Sequence, residues 1–196
     1  MTKLDRFIKI KSNNLEPRKG RVLLSEPLMG DYYFGRSVVL LAEHNNEGSF
    51  GLIVNKTVQT KFNEILPDFP EFDSQLFLGG PVETNRLFIL HTLGDKISES
   101  VEIIKGLYWG GNLDDIKEMI SLNLANSKNI RFYLGYSGWS AGQLENELKR
   151  NSWVITRTSS EKIFTKSPEN LWDDLVKKLG DEYLYWEKLP KNPMYN

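Results

Sequence analysis

Several residue sets in this chain have side chains and spacings that could do chemistry. The run Gly138-Trp139-Ser140-Ala141-Gly142 fits G-x-S-x-G, the nucleophile elbow of hydrolases, where a serine stands on a sharp turn between a strand and a helix. That chemistry needs a histidine to take the serine proton, and in the α/β-hydrolase order the acid and then the histidine follow the serine. The only histidines, His44 and His91, both precede Ser140. Ser140 and Gln143 read instead as a capping box: the hydroxyl accepts from the Gln143 N–H and the Gln143 amide reaches back to Ser140. With no cysteine, a metal site would need imidazoles and carboxylates, and two histidines 47 residues apart define no ligand set, so neither a metal nor a cofactor is expected. Each histidine is expected to be neutral, its ring N–H held by a backbone carbonyl near a turn.

Gly79-Gly80-Pro81 follows a strand and invites a phosphate-loop reading, but no Gly-Lys-Ser/Thr follows and Glu83 would repel an anion. A tight turn fits better, with Gly79 at positive φ and Gly80 extended before the proline. If Ser37 to Glu43 pairs with Phe50 to Asn55 across a loop in which Gly48 supplies a left-handed residue, Glu43 faces Phe50 and Asn55 faces Val38. Arg36, Ser37 and Asn55 then form a structural polar cluster that fixes one strand end, and His44 lies roughly 20 Å away at the other. Trp109, Trp139 and Trp153 are expected in core and rim rather than in a ligand box. The expected binding surface comprises Gly79, Gly80, His91, Trp139 and Gln143. Its glycine turns would expose backbone N–H groups, Trp139 would give an apolar wall with one donor, and His91 would titrate near neutral pH. Glu145 and Glu147 disfavour an anion there, leaving a neutral or cationic ligand or a protein loop.

These residues must be positioned by strands. From Gly20 onward apolar runs of strand length alternate with turn signals: Arg21 to Ser25, Ser37 to Glu43, Phe50 to Asn55, Gln75 to Leu78, Arg86 to Thr92, Ser100 to Leu107, Ile130 to Tyr136 and Ser152 to Arg157. A period of 3.6 predicts helices from Leu113 to Ala125, capped by Asn112, from Ala141 to Arg150, and from Pro168 to Leu179. The last buries Leu171, Trp172, Leu175, Val176 and Leu179. The fold class is therefore α+β: a single domain with a mixed, largely antiparallel sheet of about eight strands, able to close toward a barrel, and three or four helices around it.

The 196 residues suffice for one core, and 40% hydrophobic with 26% charged residues is ordinary globular usage. The net charge of −1 supplies no global field toward nucleic acid or acidic lipid. Residues 1 to 19 form a basic arm in which Leu4, Phe7 and Ile8 have amphipathic-helix spacing; counted to Arg21 the charge there is +5, leaving −6 for the rest. The domain then spans 20–180, and the tail 181–196 is expected to be extended. No signal peptide or apolar span of about 20 residues is seen, which points to a soluble, cytoplasmic protein without a membrane partner.

Six ordered motifs resemble the YqgE/AlgH family: Gly20-Arg21-Val22-Leu23-Leu24; Phe34 to Leu41 with Glu43-His44; Gly51-Leu52-Ile53-Val54-Asn55; Gly79-Gly80-Pro81-Val82; Leu90-His91; and Gly135-Tyr136-Ser137-Gly138-Trp139 with Gly142 to Glu145. The resemblance covers roughly Gly20 to Gly180. It implies a single-domain cytosolic bacterial α+β protein of a family often labelled as transcriptional regulators, with no established biochemical activity. Thr57 stands where the family commonly has proline, and Ser137 where alanine is common. The expectation is a non-enzymatic protein acting through a protein or small-molecule partner. One alternative is an enzyme with a site around His91, Gly79 and Gly80 or around Trp139 and Gln143. The other is a direct DNA-binding regulator, disfavoured because the helix from Leu113 carries Asp114, Asp115 and Glu118 against Lys117.

Overall fold

A computed structural model describes residues 15–190 of the chain. The amphipathic arm around Leu4, Phe7 and Ile8 lies outside the described residues. Ten strands form one sheet: β1 (Arg21–Ser25), β2 (Val38–Asn45), β3 (Gly48–Ile53), β4 (Thr57–Lys61), β5 (Gln75–Leu78), β6 (Val82–His91), β7 (Ser100–Ile104), β8 (Leu107–Gly110), β9 (Ile130–Ser140) and β10 (Trp153–Arg157). Eight of them run in the order β10-β1-β2-β3-β9-β6-β8-β7, every neighbouring pair antiparallel. The ladder β4–β5 joins β9 through the parallel pair β5–β9. The sheet is thus mixed and largely antiparallel, curled into a half-barrel. Several readings from sequence need correction: the helix from Leu113 ends at Ser121, and the one expected from Pro168 to Leu179 is a 3-10 turn followed by a helix over Leu171–Val176, with Leu179 only half-buried. The run Ser100 to Leu107 divides at Gly106, φ +73, into the hairpin β7–β8, and the polar segment β4 was not foreseen because its alternation is exposed and half-buried rather than apolar and polar.

Long strand β9 organises the sheet, pairing β6 on one edge and β5 then β3 on the other. At Gly135, φ +67, it bulges where β6 carries extra residues between Val82 and Leu87. A Cβ on Gly135 would stand 2.5 Å from the Gly80 carbonyl oxygen, so only glycine fits. The bulge changes which face odd and even residues occupy. Tyr133 and Tyr136 therefore share one core, while Phe132 and Leu134 belong to another.

The main core fills one sheet face with Val22, Leu24, Leu40, Leu52, Leu90 and Tyr133 and is closed by two short helices, α5 (Leu171–Val176) and α6 (Tyr185–Lys188). Trp172 and Trp186 stack there at 5.9 Å between ring centroids. Residues 181–188 of the tail are accordingly not extended: a 3-10 turn and α6 bury Tyr183 and Trp186, because two large aromatic rings on adjacent turns gain more from the core than from water, and the tail's residues 191–196 lie outside the described residues. On the other face a second cluster gathers under α1 (Phe62–Ile65) and α2 (Leu113–Ser121), and a third under α3 (Gln143–Lys149). The remaining helix, α4 (Ser160–Ile163), follows β10. Asn112 caps α2 as expected, its Oδ1 accepting from the Asp114 and Asp115 N–H groups.

Candidate functional site

The polar cluster at the start of β2 is a folding device. Asn55 Oδ1 accepts from the Val38 N–H at 2.8 Å and Nδ2 donates to the Arg36 carbonyl at 3.0 Å, so one amide finishes the β2–β3 end. Arg36 lies over the Trp172 ring at 4.7 Å, pairs with Asp173 at 3.2 Å, and donates to the Trp186 and Leu189 carbonyls. It fastens α5 and the tail to the sheet. The Ser37 N–H donates to Ser25 Oγ, but the Ser37 hydroxyl itself has no hydrogen-bond partner among the described residues.

The surface expected around Gly79, Gly80, His91, Trp139 and Gln143 is brought together only in part. Gly79 and Gly80 are not a tight turn; they cross β9 in contact with its backbone, where a Cβ on Gly79 would meet the Gly135 carbonyl oxygen at 2.1 Å. The expected conformations are reversed: Gly79 is not at positive φ, and Gly80, expected extended, is, at φ +156. The Gly79 N–H donates to Leu134, and its carbonyl accepts from the Ile53 N–H and the Ser137 hydroxyl, which gives the unusual serine a place. Trp139 and Gln143 do line one cavity of about 460 Å³, with Pro81, Phe34 and Trp153. His91 is elsewhere. Its register partner on β9 is Ile130, nine positions from Trp139, roughly 30 Å along the strand.

His91 is fully buried, stacked on Tyr108 at 5.6 Å. Its Nδ1 accepts from the Leu93 N–H, so Nε2 carries the proton and donates to Ser100 Oγ at 2.8 Å; Ser100 in turn donates to the Ile97 carbonyl. Burial pushes its pKa down to about 4, so it is not the neutral-pH titrating group the sequence suggested. His44 also bonds a hydroxyl rather than a carbonyl: Nδ1 meets Ser49 Oγ at 2.8 Å, with Glu145 3.6 Å from Nε2. This Ser-His-Glu row resembles a triad, but the far link exceeds hydrogen-bonding distance and the ring is turned end for end relative to a triad. It ties the β2–β3 hairpin to α3.

The capping box forms in one half. Gln143 Oε1 accepts from the Ser140 N–H and from its hydroxyl, but Ser140 ends β9 and the N-cap of α3 is Gly142, at φ +73. What fixes α3 is Glu147, whose Oε2 accepts both the Trp139 and Trp153 indole N–H groups at 2.9 and 2.7 Å. The single donor expected of Trp139 is therefore already used. Ser140→Ala is expected to change stability by under about 0.5 kcal/mol, whereas Glu147→Ala should cost about 2 kcal/mol through two lost charge-assisted bonds. Urea melts of both variants check this, and a serine-directed fluorophosphonate labelling Ser140 or Ser49 would contradict the structural assignment.

A further concave site lies where β3, β6, β8 and β9 meet, a cleft of about 600 Å³. Phe50, Phe88, Trp109 and Tyr136 form an aromatic wall, the Phe50 ring lying 4.9 to 5.5 Å from the other three. Glu43, Glu47 and Glu83 stand exposed on its rim, and Arg86 bridges the two, pairing with Glu83 at 3.0 Å and covering Phe88 at 5.4 Å. The Trp109 indole N–H is buried and makes no hydrogen bond among the described residues. Among those residues no group of His, Asp or Glu is placed to hold a metal ion.

A family model described as AlgH-like matches residues 22–184. The chain belongs to the AlgH-like family. A UPF0301 protein of Bacteroides thetaiotaomicron is 42% identical over 191 residues, 97% of each chain, and one of Cytophaga hutchinsonii is 42% identical over 179 residues, 91% of this chain and 98% of that one. The solution structure of the AlgH protein of Pseudomonas aeruginosa superposes with a TM-score of 0.70 at 31% identity, covering 87% of this chain and 93% of that one. A crystal structure from Corynebacterium diphtheriae matches at 0.76 and 21%, covering 92% and 96%, which speaks to the fold alone.

The aromatic wall of this AlgH-like chain was missed from sequence. The sequence places Trp109 in core and rim, and the other three aromatics give no signal of their own. Each comes from a different strand, and only the strand order places them side by side.

Proposed function

We propose that this AlgH-like protein acts by binding rather than by catalysis, and that the cleft walled by Phe50, Phe88, Trp109 and Tyr136 takes a cationic group on an apolar stem, carried by a protein segment or a small molecule. The observation that carries this reading is a half-open aromatic surface rimmed by three carboxylates and one arginine. Aromatic faces attract cations, and the rim adds a net negative charge. Arg86 over Phe88 makes the same contact from within the chain. Regulation, in this reading, is the downstream effect of the binding. Direct DNA recognition is not supported: α2 exposes Asp114 and Glu118, and the cleft itself would repel phosphate.

Tetramethylammonium and a short unstructured Lys/Arg peptide are the probes, followed by Trp fluorescence and amide chemical shifts. Saturable shifts at β3, β6 and β8 are expected. Phe50→Ala with Trp109→Ala should abolish them, and Glu43→Gln with Glu83→Gln should weaken binding about tenfold, the worth of one cation–π contact or a close charge pair. No response, or an unchanged response in the variants, would overturn the reading.

A further inference from the structure

A second cavity, of about 550 Å³, opens near the start of β9, between the end of β4, the start of β5 and the turn after α4. Its charge is opposite to that of the aromatic cleft. Lys61, Lys128, Lys166 and Arg131 line it against the single carboxylate of Asp73. None of the three lysines forms an ion pair with a described residue, and all three are exposed.

Arg131 is the unusual member. It is 5% exposed, and its guanidinium is clamped between the Phe77 and Phe164 rings, 4.6 and 5.1 Å from their centroids. Its terminal nitrogens donate to the Ile163 and Thr165 carbonyls, so its position is fixed. Those partners are neutral, and among the described residues it has no carboxylate. A buried guanidinium held by dipoles alone keeps an uncompensated charge, which is costly unless an anion completes it. The cavity it floors is open to solvent, so the anion can come from there.

We infer that this cavity is an anion site for a small phosphorylated ligand, with Arg131 as the fixed base and Lys61, Lys128 and Lys166 as mobile arms that close on the phosphoryl oxygens. Three ammonium groups and a guanidinium call for more than one negative charge, which a phosphate ester or diphosphate supplies and a single carboxylate does not. The concave shape and volume match small-molecule sites, whereas a nucleic-acid backbone needs a continuous track of cations. A chain of net charge −1 with one local group of four cations does not provide such a track.

Inorganic pyrophosphate titrated into the full chain by calorimetry and amide NMR tests the assignment. One-to-one saturable binding is expected, with shifts at residues 127–131 and 163–166, and acetate at the same concentration should give none. Lys128→Ala with Lys166→Ala changes only exposed side chains and should weaken pyrophosphate at least tenfold, while Glu43→Gln with Glu83→Gln, at the separate aromatic cleft, should leave it unchanged. Absence of saturation, or equal affinity in the lysine variant, overturns the assignment. So does a short DNA duplex that binds more tightly than pyrophosphate and loses affinity in the same variant, which would make the surface a nucleic-acid one.

Discussion

Lowering the pH from 7 to 4.5 is expected to cost the fold about 2 kcal/mol through His91 alone. In the folded chain burial holds this imidazole neutral down to about pH 4. Its Nδ1 is already committed as an acceptor to the Leu93 N–H, so protonation would also break that bond. In the unfolded chain the ring takes its proton near 6.5. Between those values the unfolded state binds more protons, so stability is fully present above pH 6.5 and drains as the pH falls toward 4. Glu26 works in the opposite sense, since burial raises its pKa, so the comparison must be with a variant and not with a flat line. His91→Gln keeps polar atoms at the position while removing the titration. Its urea-derived stability should be lower at pH 7 but should fall about 2 kcal/mol less than the parent's on acidification. Parallel profiles would show that His91 is not held neutral.

Trp186→Ala is expected to lose about 3 to 5 kcal/mol, the range for truncating a buried large aromatic side chain. Trp186 is 1% exposed, stacks on Trp172, meets Tyr183 edge-on at 5.3 Å and gives its carbonyl to Arg36. Its side chain's loss opens a cavity under α5 and removes the ring stacked on Trp172, while the backbone carbonyl that accepts from Arg36 remains. Removal of residues 181–196 should be worse still, leaving Trp172 and part of the main core facing water, and the product should show a broadened or absent thermal transition. Wild-type stability in either protein would mean that the C-terminal segment is an appendage rather than part of the core.

The binding expectation moved for a physical reason. Glycine turns and tryptophans gather at loops, and Gly79, Gly80 and Trp139 do lie near one end of β9. The glycines, however, are there to let backbones touch, and Trp139 is spoken for by Glu147. Only residue type associates His91 with them. Its position in register with Ile130, at the opposite end of the same strand, is a property of β6–β9 pairing that no local pattern contains.

By itself the sequence determined whatever depends on neighbours in the chain. The bounds of β1 and β5, the Asn112 cap, the buried stripe Leu171, Trp172, Leu175 and Val176 and the Glu43–Phe50 pairing all follow from period, turn chemistry and hairpin register, but the bulge after Leu41 sets Val39 opposite Ile53, so Asn55 reaches Val38 through its side chain and not in register. The tertiary structure alone decided what depends on partners far along the chain. The parity change at Gly135, the burial of His91 and Trp186, and the meeting of Phe50, Phe88, Trp109 and Tyr136 from four different strands all rest on long-range pairing. So does the exposure of a basic cavity around a buried Arg131. Local energies of about 1 kcal/mol select an element's type and ends, but the strand order is fixed by burying the whole sheet at once, and both cavities are products of that order.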